Sequence, residues 1–144
     1  MPIILIDRGL NRRDNGRLIV KEYEGAYQAV SLFIESGHTK IGMLKETTGY
    51  YQLEERFNGY RHALKDHGLP FNGKFVEHGE LTVQGGYTAS KKLLKHKDST
   101  AIFCGNDAMA IGCYQAIDEL GKKIPEDISV IGFDGLTLSE YMIP

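Results

Sequence analysis

The sequence predicts an α/β protein, a mainly parallel, doubly wound sheet with helices on both faces. Three observations predict it. Short apolar runs recur at intervals of roughly thirty residues, the length of a βα unit. Several of these runs have no polar alternation, which suits parallel strands covered on both sides. The stretches between them carry the apolar period of helices, and strands alternating with helices imply a sheet with helix layers.

Each element has its own signal. Ile3 to Ile6 reads as a first strand. Tyr23, Ala26, Tyr27, Val30, Phe33 and Ile34 form a helical stripe that Gly37 can end in the left-handed conformation. Lys40 to Leu44 is the next strand. Leu53, Phe57, Tyr60 and Leu64 mark a second helix, stopped by Gly68-Leu69-Pro70. Phe75 to His78 is a strand, and Val83, Tyr87 and Leu94 mark a third helix. Lys95, His96 and Lys97 suit the negative end of that helix's dipole. Ala101 to Cys104 is a strand, followed by a helix with core positions Met109, Cys113, Ala116, Ile117 and Leu120, closed by Gly121. Ile128 to Phe133 is the last strand.

Composition narrows the function. The 144 residues suit one domain, and no Pro- or Ser-rich linker divides them. A net charge of −2 argues against a chain whose main task is gripping phosphates. No apolar run approaches the ~20 residues of a membrane span. Two cysteines make no disulfide framework, and Cys104 and Cys113 read as small buried hydrophobes. Seventeen glycines are an excess, expected at turns and helix ends.

In open α/β sheets, ligands sit beyond the carboxyl ends of the strands. The residues just beyond the strands are largely polar or small: Glu46 to Gln52, Gly79 to Thr82, Gly105-Asn106-Asp107 and Asp134-Gly135. Carboxylates and amides placed so can hold a hydroxyl-rich ligand. The plainer expectation for Asp107 and Thr82 is that they cap helices. Asn106 and Asp134 stand on strand tips, which favours contact with a ligand.

The stretches Gly37-His38-Thr39-Lys40-Ile41-Gly42, Arg56-Phe57-Asn58-Gly59-Tyr60, Ala101 to Ala110 and Ile124 to Asp134 together resemble the lactose/galactose repressor family of bacterial transcription regulators. The four occur in the family's order and span nearly the whole chain. The resemblance implies a fold like one lobe of a type I periplasmic binding protein. It implies that residues 1–144 are a single lobe of a two-lobed effector-binding domain, and that the strand within residues 1–8 belongs to the other lobe. It also implies an effector that binds between lobes and shifts their populations, without chemistry or a cofactor. Operator DNA would be read by a helix-turn-helix segment outside these residues. The expected setting is a cytoplasmic homodimer, with no membrane partner.

By the same resemblance, Arg56, Asn106 and Asp134 bind the effector, which is expected to be a sugar or related small metabolite. Arg56 can fork onto ring oxygens or a carboxylate, Asn106 both donates and accepts, and Asp134 accepts from vicinal hydroxyls. The plainer reading of Arg56 is a helix-surface side chain loosely paired with an acid. Gln52, one turn before Arg56, and Tyr50 are further candidates. Leu81 stands where many relatives carry a stacking aromatic ring, and Gly135 where many carry an acid. The helix from Ala108 to Tyr114 is apolar all round, and the resemblance implies dimers that pack through this helix and the region around Tyr141, which makes Ile111 and Tyr141 candidate dimer-interface residues. The competing expectation for Ile111 is a core helix of the monomer.

Other signals lead nowhere specific. His62 and His67 are five apart, so they share no helix face and suggest no metal site. Arg8, Arg12, Arg13 and Arg17 are interrupted by Asp14, with Asp7 just before them, and read as a solvated loop. There is no nucleophile elbow, phosphate loop or dinucleotide fingerprint, so an enzyme is not expected. The alternative function is the sugar-binding protein of a transporter, which uses the same fold for delivery.

Overall fold

The computed structural model describes residues 3–7, 22–47, 49, 51–96 and 98–134, with the backbone alone at 3–7, 51, 52, 96 and 134. The elements run β1 (Ile3–Asp7), α1 (Glu22–Glu35), β2 (Ile41–Glu46), α2 (Tyr51–Asp66), a 3-10 turn (Gly73–Phe75), β3 (Val76–Gly79), α3 (Val83–His96), β4 (Ala101–Cys104), α4 (Asp107–Glu119) and β5 (Ser129–Asp134). Each strand and helix stands where the apolar runs and stripes predict, within a residue or two. Among the described residues, no helix is long and apolar enough to cross a membrane.

The five strands make one sheet in the order β1-β5-β4-β2-β3, with every pairing parallel. Side chains alternate across it. Ile41, Met43, Ala101, Phe103, Ile131 and Phe133 point to the face covered by α1 and α2. Leu44, Ile102, Cys104 and Val130 point to the face covered by α3 and α4. Both sides of the central strands are therefore dry, and this is why β2 and β4 read as unbroken apolar runs. The helices α1 and α2 accompany steps across the sheet in one direction, α3 and α4 steps in the other. A single crossover hand produces that arrangement.

Three helices end the same way. At Gly37, Gly68 and Gly121 φ is +98°, +75° and +69°. The glycine N–H donates to the carbonyl three residues back, and the next residue's N–H donates to the carbonyl five back, as in His38 to Phe33, Leu69 to Leu64 and Lys122 to Ile117. This is the Schellman motif, which satisfies the last carbonyls of each helix.

Three details differ from the sequence expectations. The inward face of α3 is Gly86, Ala89, Ser90 and Leu93, while Val83, Tyr87 and Leu94 lie at its margins. Leu120 is 50% exposed, because the Schellman turn lifts it off the core as α4 ends. Not all the glycines serve turns: Gly59, Gly86 and Gly112 lie inside helices, where backbones cross closely. A Cβ on Gly86 would stand 2.2 Å from the Met109 carbonyl oxygen, and one on Gly59 would stand 2.4 Å from that of Tyr23. As for β1, it hydrogen-bonds along β5, from Ile3 beside Val130 to Asp7 beside Asp134, and so forms the edge of this sheet. An unpaired strand edge is the seat such a strand takes.

Candidate functional site

From β2 the chain steps to β3 on one side, and later strands lie on the other side, starting with β4. The carboxyl ends of β2 and β4 therefore flank a topological switch point, where ligands bind in open sheets. Glu46 closes β2, and Gly105-Asn106 lies directly beyond β4. The Gly105 N–H donates to the Leu44 carbonyl at 2.9 Å, tying the two strand tips together.

Arg56, in the second turn of α2, is 1% exposed, so it is not a loosely paired surface residue. Its Nε donates to a Glu22 carboxylate oxygen and its Nη1 to the Gly105 carbonyl. Its guanidinium carbon lies 4.1 Å from the centre of the Phe133 ring, against which the planar cation stacks. One side chain thus joins the start of α1, the tip of β4 and the end of β5. Glu22, which sequence analysis does not single out, is 4% exposed at the first position of α1. Its signal is an acid in the opening turn of a helix, which normally means only a favourable dipole contact.

Asn106 is the cap of α4. Its backbone is extended, and its Oδ1 accepts from the Met109 N–H at 2.8 Å. Its Nδ2 donates to the Leu81 carbonyl at 3.5 Å, linking the tips of β3 and β4. The capping expected of Asp107 therefore falls to Asn106, because the residue before the helix has the extended backbone a cap requires. Asp107 is the first helical residue and is fully buried. Thr82 caps as expected, its Oγ1 accepting from the Gly85 N–H at 2.9 Å. An amide has two N–H groups and two acceptor lone pairs, so capping leaves Asn106 chemistry to offer a ligand.

The remaining candidates are distributed unevenly. Leu81 is half-buried and packs against the core under α3 and α4. Asp134 ends β5 beside Phe133, and Gln52 lies in the first turn of α2; both are placed by their backbones. Tyr50, Gly135 and Tyr141 lie outside the described residues. Ile111 is 7% exposed within the single chain. Glu46, in sequence only one of several polar residues near the tip of β2, is 2% exposed. It accepts from the Gly49 N–H at 3.0 Å and lies 3.8 Å from the Lys45 ammonium. Away from the site, His38 shares a 2.8 Å hydrogen bond with Thr100, a turn contact, and both cysteines are buried and free.

Comparison with known proteins identifies the family. Residues 30–144 match the family described as periplasmic binding protein-like domain. The chain is 35% identical over its whole length to a Bacillus subtilis (strain 168) protein named "Probable HTH-type transcriptional repressor ExuR", of which it covers 44%. The sugar-binding transcriptional regulator of the LacI family from Escherichia coli, solved with phosphate, superposes with a TM-score of 0.83 at 33% identity, covering 99% of this chain and 52% of that one. A LacI-family regulator from Enterococcus faecium with bound ribose has a TM-score of 0.77 at 30% identity, covering 85% of this chain and 46% of that one. The chain thus spans about half the length of the proteins it matches, and these three are transcription regulators.

Proposed function

The chain belongs to the periplasmic-binding-protein-like effector domains of the lactose/galactose repressor family, and from that premise we propose that it is one lobe of an effector sensor in a bacterial transcription regulator. A sugar or related metabolite binds at the carboxyl ends of β2, β4 and β5, against Arg56, Asn106 and Asp134, with Gln52 and Tyr50 at the margin. A second lobe completes the pocket, and in that two-lobed protein the strand within residues 1–8 belongs to the other lobe. Ligand stabilises the closed arrangement of the lobes and so alters DNA binding by a separate reading domain. The protein works in the cytoplasm as a homodimer and performs no catalysis. Similarity to regulators, rather than to transport proteins, supports this reading over delivery of a sugar to a transporter.

The observation that carries the site assignment is Arg56. A buried guanidinium, anchored at once to the β4 tip and the β5 aromatic ring, is a preorganised donor where the switch point opens. The test is a titration of the chain carrying ¹⁵N-labelled arginine side chains with millimolar neutral sugars, among them ribose and galactose. The Arg56 Nε resonance is expected to move with weak, saturable binding, since one lobe offers half a pocket. If no sugar moves it, the assignment is wrong. Micromolar affinity for this chain alone would refute the half-pocket reading.

A further inference from the structure

We propose that the groove between the last turns of α3 and the end of α4 is a docking surface for an acidic segment of a partner protein, one that carries an apolar side chain among carboxylates. The proposal goes beyond the effector reading and does not depend on it. The groove has a volume of about 520 Å³ and is lined by Tyr87, Thr88, Lys91, Lys92, Lys95 and Leu120. Both helices start at the strand tips, so their last turns lie at the other end of the layer from Asn106. A partner seated there leaves the strand tips open.

Charge and shape choose the partner. From Val83 to His96, α3 carries three lysines and no acidic residue, within a chain of net charge −2. Lys91 and Lys95 are one turn apart and share a face, with Lys92 beside them. The carboxylate of Glu119 is taken up locally: it accepts from the Tyr87 hydroxyl at 2.6 Å and lies 3.3 Å from the Lys91 ammonium. Lys92 and Lys95 are exposed and make no ion pair among the described residues. Beside these cations stands Leu120, the most exposed large hydrophobic side chain among the described residues. A leucine ringed by ammonium groups is complementary to an apolar side chain ringed by carboxylates. Other occupants fit less well. Five of the six lining residues are exposed, so a small ligand would stay largely in water. Single-stranded nucleic acid needs open ring faces, and the Lys91 ammonium already lies 5.5 Å from the centre of the Tyr87 ring. A second copy docked through the same surface would set lysines against lysines.

A displayed library of random peptides, selected on the intact chain at low salt, tests this. The enriched peptides, resynthesised and titrated by calorimetry, are expected to carry aspartate or glutamate around an apolar residue. Replacing those acids by their amides is expected to weaken binding about tenfold, and so is the double change Lys92→Glu, Lys95→Glu in the chain. Leu120→Asp is expected to weaken it as well. The amide peptides decide even if a variant fails to fold. Enriched peptides without acidic residues overturn the proposal, as do acidic ones that bind the charge-reversed chain equally well, or a selection that yields no binder. A DNA duplex or an anionic lipid vesicle that binds the chain more tightly than any selected peptide, and loses that binding in the charge-reversed variant, also overturns it. So does a sedimentation coefficient that rises with concentration in the wild-type chain but not in that variant, which would give the groove to a second copy. None of these outcomes bears on effector binding at Arg56.

Discussion

Replacing Gly112 by alanine sets two known effects against each other. Gly112 is in the middle of α4 where that helix crosses α3. A Cβ built there would lie 2.0 Å from the Val83 carbonyl oxygen and 2.4 Å from the Tyr87 nitrogen. Real Cβ atoms do not come within 3.0 Å of such atoms, so α4 must withdraw by about 1 Å. Both obstacles are backbone and cannot swing aside, which places the overpacking cost near the upper end of its usual range, about 3 kcal/mol. Alanine is the better helix former by about 1 kcal/mol. The net expectation is a loss of about 2 kcal/mol, or a melting temperature lower by about 4–8 °C for a domain of this size. Urea unfolding followed by circular dichroism reads it as a lowered midpoint with unchanged slope. Gly73→Ala is the control: nothing lies within 4 Å of its Cβ position, so it should be neutral or stabilising by up to about 1 kcal/mol. A Gly112→Ala protein that unfolds at or above the wild-type midpoint would refute the close-crossing argument.

Three further outcomes are expected. Asn106→Ala removes the acceptor for the Met109 N–H and should cost about 1 kcal/mol in denaturant unfolding, while Asn106→Asp, which still caps, recovers most of it. Arg56→Ala takes the cation from the buried Glu22 carboxylate and should cost about 3–5 kcal/mol. Adding Glu22→Ala to it should cost less than the sum of the two single changes, and strict additivity in the double-mutant cycle would mean the pair is not coupled. Tyr60 is fully buried and its hydroxyl donates to the Ile41 carbonyl at 2.7 Å; Tyr60→Phe should cost about 1 kcal/mol near neutral pH. Burial also pushes the Tyr60 phenol above its ordinary range. The folded state therefore favours the protonated phenol. That contribution is complete below about pH 10, the unfolded value, and is lost as pH rises beyond it. Alkaline melting curves should fall more steeply for wild type than for Tyr60→Phe; parallel curves would contradict the assignment.

Much of the fold is legible in the sequence because its signals are local. Parallel strands buried on both faces leave continuous apolar runs, and β2, β4 and β5 carry them. Helix ends that use a left-handed residue leave a glycine, and Gly37, Gly68 and Gly121 each mark one. Where two helices nearly touch, the local signal is silent or misleading. By apolar period the α3 stripe is Val83, Tyr87 and Leu94, but small residues (Gly86, Ala89, Ser90) let α4 approach and form the inward face with Leu93. Hydrophobicity scales do not register an absent side chain as a contact. Similarly, Ile111 lies off the core stripe by helical period, yet the fold covers it.

The sequence by itself determined the layered α/β class, the order of elements and the residues at the strand tips, since these come from period, turn chemistry and where strands stop. It also carried the family resemblance that pointed to Arg56, Asn106 and Asp134. Only the tertiary structure decided what Arg56 and Asn106 touch. Arg56 is 34 residues from Glu22 and 49 from Gly105, and no spacing rule joins positions so far apart. Their meeting depends on α1 and α2 lying together on one face while the chain reverses between β2 and β4. That packing turns an arginine that could have been a free cation into a partner in a buried ion pair. What Arg56 can offer a ligand is therefore a property of the fold rather than of that residue alone.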